Sequence, residues 1–175
     1  MQSEHYPSTA YAQAEPFEPV RYGDIEPALE ADGFRLYFHR DFESTRAQPN
    51  AVSYWLQLRG RSYVESKEGH FALRAGQWVV FDRDSAPCLD TDRHGVLIGF
   101  SVDPALLSEI EQHWRIEMLP GEGRLSHFDR NLLLKLWRQC ALAVSTARER
   151  GDRVRMLRRL LGGVRDTQHD LSSLM

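Results

Sequence analysis

The 175 residues are 42% apolar and 27% charged, an ordinary globular composition that excludes a wholly disordered or fibrous chain. No run approaches the roughly 18 consecutive apolar residues of a membrane span, and Met1-Gln2-Ser3-Glu4-His5 lacks the basic start and apolar stretch of a signal peptide. The net charge of −3 argues against a chain that coats nucleic acid over its whole surface, yet the charge is uneven: residues 126–175 hold ten Arg or Lys against five Asp or Glu, and the remainder holds twelve against twenty.

A basic tail behind an acidic body suits either a solvated helix surface or contact with nucleic acid or an acidic partner. Cys88 and Cys140 are the only cysteines. They are too few for a disulfide framework or a four-thiolate metal site, so a reducing, cytoplasmic setting is the default.

Residues 1–30 are polar, hold Pro7, Pro16 and Pro19, and read as an N-terminal arm. A short strand at 20–22 and a helical turn at 25–29 are the only elements suggested there. From Gly33 the pattern changes to short strands separated by turn residues: 34–39, 52–59, 62–65, 71–74, 77–82, 88–90 and 94–102. Such spacing points to an all-β sandwich or barrel.

The period then becomes helical. Asp103-Pro104 is a helix start, because Asp can cap free amide donors and Pro favours the first helical position. Residues 105–114 carry Leu106, Leu107, Ile110 and Trp114 on one face. Pro120-Gly121-Glu122-Gly123 reads as a linker, and Ser126 with Asp129 resembles a capping arrangement. A broad stripe of Leu132, Leu133, Leu136, Trp137, Cys140, Ala141 and Val144 predicts a helix to about residue 148. Gly151-Asp152 should break it. A second helix follows with Val154, Leu157, Leu160, Leu161 and Val164, and 168–175 reads as a frayed tail. The two helices form an αα-hairpin. The divisions are 1–30 arm, 31–115 barrel and 116–175 helical subdomain.

Chemistry-bearing motifs are sparse. The seven histidines show no HxH or HExxH spacing, and there is no CxxC. GxSxG is missing, as is a glycine-rich phosphate loop after a strand. A barrel interior remains. Alternation puts Tyr54, Leu56 and Leu58 on one face of their strand and Trp55, Gln57 and Arg59 on the other. Phe34, Leu36 and Phe38 oppose Tyr37 and His39 in the same way. Aromatics with a few polar groups suit a small-molecule pocket. The candidate ligand-binding residues are Tyr37, His39, Trp55, Gln57, Arg59, Trp78 and His94. No catalytic residue, metal or cofactor is expected.

The stretches Tyr54-Trp55-Leu56-Gln57-Leu58-Arg59-Gly60 and 69–82, Ala86-Pro87, the strand 94–102 and the Asp103-Pro104 helix together resemble the N-terminal cupin-like sensing domain of AraC/XylS-type transcription regulators. The resemblance implies a mainly β fold, a cupin-like double-stranded β-helix (jelly-roll barrel) followed by an antiparallel αα-hairpin. It implies a small-molecule effector in the barrel and a homodimer built on the helices.

Leu133, Leu136, Trp137, Cys140, Val144, Leu157, Leu160 and Leu161 offer more apolar surface than one hairpin hides, so part of it should meet a second copy. DNA would be reached only through a helix-turn-helix domain missing from these residues, and no membrane is involved. Enzymatic cupins bring two His and a Glu to a metal on their first motif; residues 60–76 here offer only His70. The alternatives are a small cupin metalloenzyme using His39, His70 or His94, and a pocketless interaction protein that pairs with a full-length regulator.

Overall fold

The computed structural model describes residues 29–47, 49–114 and 120–172. The strand suggested at 20–22, and all but Leu29 of the turn suggested at 25–29, lie outside them. The strands are β1 (Leu29–Ala31), β2 (Phe34–Arg40), β3 (Ser44–Arg46), β4 (Val52–Arg59), β5 (Arg61–Ser66), β6 (Gly69–Arg74), β7 (Gln77–Phe81), β8 (Cys88–Thr91), β9 (Val96–Val102) and β10 (Gly121–Arg124). The helices are α1 (Pro104–Trp114), α2 (His127–Thr146) and α3 (Arg150–Ser172). A six-stranded sheet runs β1-β2-β9-β4-β7-β10, and a four-stranded sheet runs β3-β8-β5-β6. Every pairing is antiparallel.

The larger sheet is covered on both faces, which is why its strands read as nearly continuous apolar runs rather than clean alternations. Its outer face presents Phe34, Leu36, Tyr54, Leu56, Trp78, Val80, Ile98, Phe100 and Val102. These pack on Leu106, Leu107 and Ile110 of α1, Leu133, Trp137 and Cys140 of α2, and Leu157, Leu160, Leu161 and Val164 of α3. Its inner face presents Tyr37, Trp55, Val79, Phe81 and Leu97 to Val64, Leu73 and Leu89 of the smaller sheet. Neighbours in sequence therefore serve different cores, as the period of two demands.

Two tryptophans exploit glycine on the adjacent strand. Trp55 pairs with Gly99 and Trp78 with Gly123. A methyl group at Gly99 would collide with the Trp55 ring, and one at Gly123 would lie 2.8 Å from Trp78 Cζ2. Gly99 is engaged from the other side too: Trp137 Nε1 of α2 donates to its carbonyl at 2.9 Å. The helices are held further by Arg153 of α3, which ion-pairs with Asp32 in the β1–β2 turn and donates to the Ala147 carbonyl at 2.9 Å. That guanidinium pulls the Asp32 carboxyl below its ordinary range.

The seven anticipated strands form. Three more were hidden. β1 and β3 have three residues each, too short for a period to show, and β10 is the Gly121–Arg124 stretch read as a linker. His94 and Gly95 form the turn before β9 rather than its start; His94 sits at φ 61. The helix break falls at Ala147, the C-cap of α2, because Gly151 and Asp152 lie inside the first turn of α3. α3 continues through Ser172, beyond the start of the expected frayed tail. Ser126 caps α2 as anticipated, accepting from the Asp129 amide at 3.1 Å. Asp103, anticipated as a cap, gives its carboxylate to Arg35 at 3.0 Å.

Trp137→Phe keeps most of the apolar contact but removes the donor to Gly99, and should cost about 1–3 kcal/mol in urea unfolding. Gly162→Ala meets open space in α3 and should gain up to about 1 kcal/mol. The opposite ranking of the two variants would contradict this packing.

Candidate functional site

The inner face of the larger sheet is laid out in rows set by register. His39, Leu97 and Gln57 lie abreast on β2, β9 and β4; Tyr37, Gly99 and Trp55 form the next row; Arg35, Ser101 and Ser53 form the third. The facing sheet contributes Thr45, Leu89, Val64 and Phe71 in one row and Thr91, Ser62 and Leu73 in another. Tyr37 and Trp55 fill the middle, with ring centroids 4.8 Å apart.

Many of the interior hydroxyls satisfy one another. Tyr37 Oη and Ser101 Oγ are 3.1 Å apart, Trp55 Nε1 donates to Ser53 Oγ at 2.9 Å, and Ser62 Oγ donates to Thr91 Oγ1 at 3.4 Å. The remainder do not. Both ring nitrogens of His39, Gln57 Oε1 and Thr45 Oγ1 are buried with no hydrogen-bond partner in the protein. Leaving such a group unpaired costs about 1–3 kcal/mol; Arg35 Nε, Tyr54 Oη, Trp78 Nε1 and Arg130 Nε are buried without a partner as well. His39 Nδ1 lies 3.5 Å from Glu43 Oε2. Burial lowers the His39 pKa and Glu43 only partly offsets it, leaving a neutral imidazole.

Of the seven candidate ligand-binding residues, the structure brings together Tyr37, His39, Trp55 and Gln57 on one inward face. Trp78 belongs to the other face. It pairs beside Leu56 in the layer under the helices and stacks on Tyr54 at 6.2 Å. Arg59 and His94 are exposed. They staple the turns at one end of the two sheets: Arg59 Nε donates to the His94 carbonyl at 3.0 Å, and the His94 amide donates to Asp41 Oδ1 at 2.9 Å. Gly60 makes this closure possible. It sits at φ 68, and a Cβ there would come within 2.7 Å of Gly95 Cα.

Sequence reasoning passed over Ser53, which shares strand parity with Trp55 and Gln57. It also passed over Thr45, whose three-residue strand carries no period.

Six of the eight residues expected at a dimer interface are buried within this chain: Leu133, Trp137, Cys140, Leu157, Leu160 and Leu161. The expectation counted what a hairpin hides and omitted the outer face of the sheet, which covers them. Leu136 and Val144 are partly buried against the same core. The Cys140 thiol is pushed up to about 12 by burial. The exposed apolar groups of α2 are instead Phe128, Leu132 and Leu142.

His39, His70 and His94 do not converge: the first faces the interior, while the other two are exposed on β6 and in the turn before β9. Among the described residues no three His, Cys, Asp or Glu side chains gather as a metal site. Among them, too, no helix is long and apolar enough to cross a membrane.

No protein-family model and no curated protein matches the sequence. Solved structures do align. An apo variant of ToxT from Vibrio cholerae strain SCE256 matches over 78% of this chain and 55% of its own, with TM-score 0.52 and 8% identity. The AraC-like transcriptional activator CuxR matches over 77% and 51%, with TM-score 0.49 and 13% identity. A Cupin 2 conserved barrel domain protein from Salinispora arenicola CNS-205 matches over 51% and 78%, with TM-score 0.38 and 16% identity. The likeness to ToxT is one of fold, and the mainly β architecture with C-terminal helices is the one anticipated. The chain spans about half the length of ToxT and of CuxR.

Because burial lowers the His39 pKa in the folded state, the unfolded chain binds more protons once pH falls towards the free value of 6.5. Stability is therefore full above that value and lost as pH drops below it. Urea midpoints should fall from about pH 7.5 to about pH 5.5, and more shallowly in His39→Gln. Equal slopes would contradict the buried neutral imidazole.

Proposed function

We propose that this chain is the effector-sensing and dimerisation part of an AraC-type transcription regulator, a non-enzymatic domain that takes a small molecule between its two sheets. The observation that carries this reading is the set of buried, unpartnered polar atoms on His39, Gln57 and Thr45, inside a fold shared with ToxT. Tyr37 and Trp55 offer an aromatic surface beside them. This is the mix of apolar wall and few polar anchors that ligand pockets use.

An effector moves a protein only by its differential affinity for two arrangements. Gly99 supplies the mechanical link. Trp55, beside the chamber's polar row, rests on it, and Trp137 of α2 holds its carbonyl. A guest that shifts Trp55 would bear on α2 through this one residue.

The outer side of α2 is the surface for a second copy. Phe128, Leu132 and Leu142 are exposed there at 75%, 39% and 64%. Leu142 borders a shallow groove of about 420 Å³ lined also by Asn131, Leu134, Lys135, Arg138 and Gln139. Leu136 and Val144 flank the buried stripe. DNA contacts, in this reading, belong to a helix-turn-helix module outside these 175 residues, and the setting is the cytoplasm.

Thermal melts against fractionated small-molecule extracts of bacterial cytosol test the chamber, and sedimentation equilibrium tests the face. At least one fraction should raise the melting temperature of the native chain and leave a His39→Leu, Gln57→Leu double variant unmoved. Leu132→Glu with Leu142→Glu should weaken self-association at least tenfold. A fraction that stabilises both proteins equally, or self-association indifferent to the glutamates, would contradict the reading.

A further inference from the structure

The ligand class can be read from the hydrogen-bond valences of the chamber. The Gln57 side-chain amide donates through Nε2 to the Arg59 carbonyl at 2.8 Å. Turning the amide over would set its oxygen against that carbonyl, acceptor to acceptor. Its orientation is therefore fixed, and the unpartnered atom, Oε1, can only accept. His39 offers one N–H and one acceptor nitrogen as a neutral imidazole, and Thr45 offers a hydroxyl. A guest must bring a donor to Gln57 and to one nitrogen of His39, and an acceptor to the other nitrogen and to Thr45.

Charge narrows the choice. Among the described residues, the inward positions of β2, β9, β4 and the smaller sheet hold no Asp, Glu or Lys side chain. Glu122 and Arg124 of β10 share the inward parity but are exposed at the sheet's edge. Arg35, two rows from His39, holds Glu30 and Asp103 and keeps only its Nε unpartnered. A buried carboxylate beside His39 and Gln57 would find no cation of its own, since Arg35 already holds two carboxylates, and it would face Gln57 Oε1 and the Glu43 carboxylate. A buried ammonium would find no buried carboxylate, since the Glu43 side chain is 53% exposed and already accepts from the Arg40 amide at 2.9 Å. Burying an unpaired charge of either sign costs several kcal/mol. A hydroxyl both donates and accepts, so it answers each of the three groups without charge.

Resting on the proposal that the chamber binds an effector, we infer that its ligand is a small uncharged molecule carrying at least two hydroxyl groups. These bond His39 and Gln57, with Thr45 closing the contact from the facing sheet. His39 and Gln57 flank Leu97 on strands two apart, a Cα separation of roughly 9–10 Å. The molecule bridges the two side chains, and its C–H surface lies along the Tyr37–Trp55 row.

The test uses three six-carbon probes, hexanediol, hexanoate and hexylamine, followed by protein NMR at the Trp55 indole and the His39 ring. The diol should move both signals saturably, with the two charged probes at least tenfold weaker. Gln57→Leu and, separately, Thr45→Val should each weaken the diol about tenfold, the loss of one hydrogen bond to a buried acceptor or donor. Unchanged diol affinity in a folded variant would overturn the inference. Tighter binding of hexanoate or hexylamine would overturn the uncharged class while leaving the chamber as the effector site. If no probe moves Trp55 or His39, the interior holds water only, and both the ligand class and the effector chamber fall.

Discussion

The structure turns on one position in one strand. β9 runs through the centre of the larger sheet, and its residues alternate between an apolar layer shared with three helices and an interior shared with the smaller sheet. At Gly99 the two layers meet without a side chain between them. The Trp55 ring occupies the space a Cβ would take, and the Trp137 indole reaches the carbonyl from the helical side. A larger residue there would displace the interior ring and, through the strand, the helix that reads it.

From that constraint the division of labour follows. The outer layer is almost wholly apolar and interlocks like a domain core, with Phe34, Leu36, Leu56, Val102, Ile110, Cys140, Leu157 and Leu161 essentially inaccessible. The inner layer is mixed. Its hydroxyls pair with one another around Ser53, Ser62, Thr91 and Ser101, while Arg35, His39, Gln57 and Thr45 keep unpaired atoms, as Tyr54 Oη and Trp78 Nε1 do in the outer layer. A fold maximising stability alone would put aliphatic side chains in place of His39, Gln57 and Thr45. The retained polarity is what supports the proposal of a site there.

Much of this was legible in the residues. Alternation along 52–59 and 34–39 separated Tyr54 and Leu56 from Trp55 and Gln57, and Phe34 and Leu36 from Tyr37 and His39, as the structure does. The αα-hairpin and its cap at Ser126 were readable from the 3.6-residue period. Trp78 was misplaced because the sheet is buried on both faces, so hydrophobicity does not say which core an aromatic joins. The dimer stripe was misplaced for a related reason: an apolar helical face records that it is covered, not by what. β10 escaped because Gly121-Glu122-Gly123 looks like a turn when its partner strand is unknown; its glycines are there to seat the Trp78 ring.

The central claim is that Gly99 couples the chamber to the helices. Fluorine NMR of protein carrying 5-fluorotryptophan reads it most directly, comparing the native chain with Gly99→Ala. The account predicts that the Trp55 and Trp137 resonances both shift while Trp78, seated on Gly123, stays in place. A shift confined to Trp55, with Trp137 unmoved, would contradict it.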